Sequence, residues 1–241
     1  MTLRRIKTAL LLLSITLLHA ANPHYCQIGK NRSGYYGQSG QDQYLHKTFF
    51  KDTKNGIFID IGAHNGIAYS NTKFFEELGW SGICIEPIPE VFEELKANRK
   101  ALCIQGCISD KKGTGQFLKV TGEPEMLSGL LEKYDPRHLA RIHREVASSS
   151  LASTAEIIPV NCYLLNELLE ENNISHVDFL SLDTEGSEAS ILQSIDFSRF
   201  DIDIIIVENN FNDDSIRNLL SSKGYNLVSS VEWDDVFKKL R

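Results

Sequence analysis

Short apolar runs alternate with stretches of near-helical apolar spacing along most of this chain, and one run sets the pattern. In Gly56-Ile-Phe-Ile-Asp-Ile-Gly-Ala-His-Asn-Gly66, the residues Ile57, Phe58, Ile59 and Ile61 supply the β-branched and aromatic content of a strand buried on both faces. Gly62 and Gly66 fall where the backbone must turn sharply or let a ligand come close, which glycine does without a Cβ clash. Phe74, Phe75 and Leu78 follow at near-helical spacing, so the turn is expected to open a helix whose N-terminal amides face a ligand.

The pattern extends in both directions. Asn22 to Gly37 is polar and reads as an extended lead-in, and Ser39-Gly-Gln-Asp-Gln-Tyr-Leu45 starts a helix with Ser39 as its N-cap. From Ser81 onward strands and helices alternate: a strand Ile83–Glu86, a helix Val91–Arg99, and a strand Leu102–Ile108 ending at Ser109-Asp110. Such alternation implies a parallel sheet with right-handed crossovers. Gln116–Val120 reads as a short extra strand, and residues 121–158 then break the rhythm. Within them Leu130–Val146 looks helical and carries Lys133, Arg137, His138, Arg141, His143 and Arg144, followed by the small polar run Ser148–Thr154. An insertion of this length is either a lid or binding loop or a solvated helix with a linker. Rhythm resumes with a helix at Leu164–Glu171, a strand Val177–Leu182 ending in Asp183-Thr-Glu-Gly-Ser-Glu188, a helix through Ile191 and Leu192, a strand Ile202–Val207 ending in Glu208-Asn-Asn210, and a helix Ser215–Lys223. Tyr225–Ser229 and Val236–Leu240 close the chain as a hairpin that gives the sheet an antiparallel edge.

Composition and charge narrow the class. The 241 residues, 42% hydrophobic and 24% charged, suit one domain of catalytic size, residues 39–241, with its insertion at about 121–158. Residues 1–21 place Arg4, Arg5 and Lys7 before the apolar run Ala9–Leu18 and the small residues Ala20 and Ala21, the order of a secretory signal. That run is shorter than the roughly 20 residues of a membrane span; export is the expectation, with an uncleaved membrane anchor as the alternative. The net charge of -7 does not invite nucleic acid or an anionic membrane. Cys26, Cys84, Cys103, Cys107 and Cys162 lack both disulfide-scaffold and zinc spacing; Cys84, Cys103, Cys107 and Cys162, in apolar surroundings, read as small core residues in preference to a Cys103–Cys107 bridge.

Chemistry gathers at the strand ends. Asp60 with Gly62 to Gly66, Glu86, Ser109 with Asp110, Asp183 with Glu185, and Glu208 with Asn209 all fall at the carboxyl edge of the expected sheet, where open α/β sheets bind ligands. Glu86 follows Gly62 by about the spacing at which an acid closes on ribose hydroxyls, so the ligand is expected to contain a nucleoside. The position two after Gly62 is His64, so the G-x-G-x-x-G dinucleotide fingerprint is absent.

With these motifs in this order, Ser39-Gly-Gln-Asp, Phe-Ile-Asp-Ile-Gly-Ala-His-Asn-Gly66, Cys-Ile-Glu-Pro87, Ser109-Asp110, Val-Asp-Phe-Leu-Ser-Leu-Asp-Thr-Glu-Gly-Ser-Glu188 and Val-Glu-Asn209, the chain resembles the FkbM family of S-adenosylmethionine-dependent methyltransferases over nearly all of residues 39–241. The resemblance implies a class I methyltransferase fold: a mostly parallel, seven-stranded Rossmann-like sheet with helices on both faces. It implies that Asp60, Gly62, His64, Asn65 and Gly66 surround the methionine part of S-adenosylmethionine, Glu86 its ribose, and Ser109 or Asp110 its adenine. His64 departs from the smaller or amide residue usual in relatives.

Methyl transfer to a hydroxyl needs the acceptor held in line and relieved of its proton. Asp183 or Glu185 is the candidate general base; the competing role for Glu185 and Glu188 is as helix N-terminal acids. Asp183 with Glu208 and Asn209 also suits a divalent cation such as Mg²⁺. The expected function is O-methylation of a sugar, glycan or small-metabolite hydroxyl, and the alternative is a non-catalytic binding module that kept the fold. An exported enzyme would have to be supplied with S-adenosylmethionine outside the compartment that makes it.

Overall fold

The computed structural model describes residues 29–149 and 152–240; the signal or anchor expected at 1–21, and Cys26, lie outside them. No helix among the described residues is long and apolar enough to cross a membrane.

Strands β1 (Ile57–Ile61), β2 (Ser81–Glu86), β3 (Leu102–Gln105), β8 (His176–Leu182), β9 (Asp201–Glu208), β10 (Tyr225–Val231) and β11 (Asp234–Lys239) form one seven-stranded sheet in the order β10-β11-β9-β8-β1-β2-β3. Every pairing from β3 to β9 is parallel, whereas β11 runs antiparallel between β9 and β10. Period-two alternation sends successive side chains to opposite faces. Ile59, Ile61, Ile83, Ile85, Leu180 and Leu182 pack with α5 (Leu165–Glu171), α6 (Glu188–Ser194) and α7 (Asp214–Ser222) on one side. Phe58, Cys84, Phe179, Ile204 and Ile206 pack on the other with α1 (Gln41–Leu45), its π-helical continuation His46–Phe50, α2 (Lys73–Glu77) and α3 (Pro89–Asn98). The doubly covered sheet explains why its strands read as continuous apolar runs.

Three local expectations are corrected. Gly40, in a left-handed conformation, caps α1 rather than Ser39, and no side chain caps it. The glycine turn does not open a helix directly: an irregular segment separates Gly62 from the five-residue α2. The strand expected over 102–108 breaks at Gly106 (φ 148°), where a Cβ would lie 2.6 Å from the Asn161 carbonyl oxygen. Beyond the break, β4 (Cys107–Ile108) leaves the main sheet for a second one.

That second sheet, ordered β4-β7-β5-β6, gives structure to the insertion. β5 (Gly113–Val120) and β7 (Ala155–Tyr163) pair antiparallel from Gly113↔Cys162 to Val120↔Ala155, and β6 (Gly129–Leu130) pairs with β5. α4 (Pro136–Ser148), capped by Asp135 accepting from the Arg137 N–H, closes a separate core of Val120, Leu127, Tyr134 and Ile142. The helix expected from Leu130 begins only at Pro136, since Leu130 is a strand residue and Leu131–Lys133 is a 3-10 turn.

Candidate active site

Sheet order reverses between β1 and β8, and a cavity of about 510 Å³ opens beyond their carboxyl ends. Its walls come from the ends of β1, β2, β8 and β9, from the second sheet and from the β10–β11 turn, where Trp233 stands 59% exposed at the rim.

The glycine turn meets β8 directly. Gly62 (φ +87°) passes so close to β8 that a Cβ there would fall 1.8 Å from the Asp183 carbonyl oxygen, and the Asp183 N–H donates to Ile61 O. On the other side, the N–H groups of Gly62 and Ala63 both donate to Ile85 O. The turn is thereby fastened between β2 and β8.

Asp60 and Arg99 stabilise the segment behind the turn. Thr72 Oγ1 donates to Asp60 Oδ2 at 2.5 Å and accepts from Arg99 Nη2 at 2.9 Å. Arg99, fully enclosed, also donates Nε to Glu76 Oε1 at 3.1 Å and stands 3.6 Å from Asp60. Burial raises the Asp60 pKa against the pull of Arg99, while Glu76, despite burial, is held at about 2 by Lys73 and Arg99. Arg99 escapes sequence reasoning because it stands at a helix end with no motif around it; the acids it serves are the only signal.

Glu86, at the end of β2, is buried in the cavity wall. Its two oxygens each accept one amide, from Ile88 at 2.8 Å and from His64 at 3.1 Å. Burial pushes its pKa to about 7 against those amides and His64. His64 holds a left-handed φ of 48° and sets Nε2 2.9 Å from Glu125 Oε1 on the insertion. Burial lowers the His64 pKa, but Glu125 and Glu86 outweigh it and the net shift is upward. His64 therefore ties the turn to the insertion.

Across the cavity, oxygens of Asp183, Glu185 and Glu208 lie within 4.8 Å of one another. Asp183 is exposed to the cavity; the protein packed around its carboxyl and the neighbouring acids Asp234 and Glu188 raise its pKa to about 7, while a hydrogen bond with Glu208 opposes the rise. Burial, then Asp183 and Glu188, push Glu185 well above the usual carboxylate range; burial, then Asp183 and Glu185, do the same for Glu208. Asn210 Nδ2 donates to Glu185 at 3.1 Å, His138 Nε2 stands 3.4 Å from it, and Arg141 lines the cavity.

The expected residues thus divide. Asp60, Gly62, His64, Glu86, Asp183 and Glu185 line the cavity together. Asn65 and Gly66 serve the turn itself: Asn65 Oδ1 accepts from the Ile67 and Ala68 N–H groups, and Gly66 packs against Arg99 and Leu95. Ser109 and Asp110 lie off the cavity, because the break at Gly106 carries the chain into the second sheet and they follow its strand β4, Asp110 pairing with Lys133 at 2.8 Å. Gly106, Cys107 and Ile108 line the cavity in their place. Asn209, named as a cation ligand, turns instead to Asp213 O and Asp235, and Glu185 completes the acid cluster. Glu188 accepts from Thr184 and Gly186 and shapes the loop after β8, as expected of a helix N-terminal acid.

A mostly parallel, doubly covered sheet with its cavity at the switch point defines a Rossmann-like α/β protein. The chain belongs to the FkbM methyltransferase domain family, whose model matches residues 60–227. It is 23% identical over 212 residues to Methyltransferase 1 of Beauveria bassiana (strain ARSEF 2860), covering 79% of this chain and 84% of that protein. A solved structure from Streptococcus agalactiae, described as a protein in the NADB-Rossmann superfamily, superposes with a TM-score of 0.41 at 11% identity, over 84% of this chain and 70% of that one.

Proposed function

We propose that this chain transfers a methyl group from S-adenosylmethionine to a hydroxyl of a sugar, glycan or small metabolite. The observation that carries the reading is the joining, in one cavity, of the Gly62 turn, the buried Glu86 carboxylate and the Asp183–Glu185–Glu208 cluster.

The residues present fit the cofactor. Each Glu86 oxygen accepts one amide and retains a lone pair, matching a ribose diol that donates two hydrogens. Ile88, Cys107, Ile108, Phe117 and Leu130 make an apolar wall beside it that suits an adenine ring. The cavity is of the size that ligands of this class occupy, roughly 300–1,000 Å³. When bound, S-adenosylmethionine supplies a methyl group already activated on a sulfonium centre. What remains for the protein is orientation and proton removal. Asp183, with a pKa near 7 and open to the cavity, accepts the hydroxyl proton, and Glu185 and Glu208 tune it by their proximity. Arg141 faces this cluster and offsets its charge.

Calorimetry with S-adenosylmethionine tests the reading: binding is expected, with an affinity loss of about tenfold or more in Glu86→Ala. Absence of heat with folded protein would overturn it. A second reading of the acid cluster rests on its close spacing, which also suits the oxygen ligation of Mg²⁺. Turnover abolished by a chelator, restored by Mg²⁺ and missing in Asp183→Asn would assign a cation to the cluster.

A further inference from the structure

Two cysteines that take no part in the proposed proton transfer lie beside each other at the cavity, Cys107 in its wall. Cys107 on β4 and Cys162 on β7 are in-register partners on neighbouring strands, both buried, and close enough for each thiol to shift the other's pKa, Cys107 up and Cys162 down. Neighbouring strands lie about 4.8 Å apart, within the Cα separation of about 4.4–6.8 Å that a disulfide spans. Gly115 on β5 leaves room for the second sulfur: a Cβ there would stand 2.8 Å from Cys162 Sγ.

The other candidate pairs lack this arrangement. Cys84 and Cys103 are also in register, across β2 and β3, but Cys103 Sγ donates to the Ala101 carbonyl at 3.4 Å. A Cys103–Cys107 bridge is disfavoured because the break at Gly106 puts the two in different sheets, facing different partners.

We propose that Cys107 and Cys162 are a site of covalent modification, linked as a disulfide at the cavity wall by exchange with a low-molecular-weight disulfide. Cys107 lines the cavity, so its sulfur meets the oxidant there. A mixed disulfide forms on Cys107 and releases one small thiol, which takes the Cys107 proton. Cys162 then attacks the Cys107 sulfur, its proton passing to the second small thiol as that leaves; two protein thiols are oxidised and one small disulfide is reduced to two thiols. Cys162 is the attacker in place, held beside the Cys107 sulfur by the β4–β7 register.

The proposal stands whatever the ligand of the cavity proves to be. The test uses the full chain, both equilibrated folded and refolded with oxidised glutathione, then alkylated, digested and read by mass spectrometry. The expected result is one peptide pair joining Cys107 to Cys162, with Cys84 and Cys103 still alkylated, and a melting temperature raised by about 5 °C or more over the reduced form. Cys162→Ser and Cys162→Ala, each checked for native circular dichroism, lose the linked pair and leave Cys107 only as a glutathione adduct or free. Full alkylation of Cys107 and Cys162 after both treatments, or a link from either to another cysteine, would overturn it.

Discussion

A single methyl group at position 62 would collide with the chain. The Gly62 Cβ position lies 1.8 Å from a backbone oxygen of Asp183, and backbone cannot swing aside as a side chain can. Gly62→Ala is therefore expected to cost more than about 3 kcal/mol, read as a lowered urea midpoint. The carboxylates beside it make a different prediction. Burial and mutual repulsion raise the pKa values of Glu86 and Asp183 to about 7 and those of Glu185 and Glu208 well above the usual range. The folded state then holds protons that the unfolded chain, with carboxylates near about 4, has released. Stability is present below about pH 4 and lost as pH rises toward and through about 7. Thermal melts between pH 5 and pH 8 are expected to show that fall, and Glu185→Gln to flatten it, raising the melting temperature at pH 8 by about 2–4 °C. With Asp183 as the proposed base, turnover is expected to run the opposite way, increasing through about pH 7 as Asp183 sheds its proton, so that acids that weaken the fold at neutral pH would be those the chemistry needs.

At the scale of elements, the legible parts were those carried by local pattern. Buried parallel strands announce themselves as unbroken apolar runs, so β1, β2, β8 and β9 and the acids at their ends could be read directly from Ile57–Asp60, Ile83–Glu86, Val177–Asp183 and Ile202–Glu208. β7 could not: Pro159 interrupts a strand whose side chains are half exposed, and its register with β5 is set by residues some forty positions earlier. The placement of Ser109 and Asp110 failed for a related reason. A one-residue break at Gly106 transfers the following strand to another sheet, and no propensity in Leu102–Ile108 marks that change. Arg99 belongs to this scale too, since it joins the end of α3 to the segment between β1 and α2 through Glu76, Thr72 and Asp60. Replacing it by methionine leaves the buried Asp60 without a cation and Glu76 with Lys73 alone. Arg99→Met is expected to cost about 3–5 kcal/mol in urea unfolding, with Glu76→Gln in the same background recovering part of it.

For the molecule as a whole, the insertion is a second body of structure with its own core, mounted on the rim of the doubly wound sheet. It contributes Glu125, Met126, Leu127, Leu130 and Arg141 to the cavity, with Glu125 against the glycine turn at His64. Replacing residues 121–154 with a tight turn between Val120 and Ala155, which already pair, is expected to preserve the circular dichroism of the main sheet and to retain S-adenosylmethionine binding, weakened by the loss of Leu130 from the adenine wall. The same change is expected to abolish turnover, because the wall facing the acid cluster is gone. Substrate choice would then reside in the insertion and cofactor choice in the sheet, a division consistent with a fold that hosts many acceptors.

The rim residue Trp233 has a practical use. The chain has two tryptophans, and they stand in opposite surroundings: Trp80 is buried among Phe50, Phe75 and Phe179, while Trp233 is open to water at the cavity mouth. Light emission from the protein therefore carries two separable messages. A ligand that fills the cavity is expected to change the Trp233 component at constant fold, and denaturant to change the Trp80 component at the unfolding midpoint. A Trp233→Phe variant, silent to ligand and unaltered in its unfolding curve, would assign each signal to its source and give an acceptor screen that needs no label.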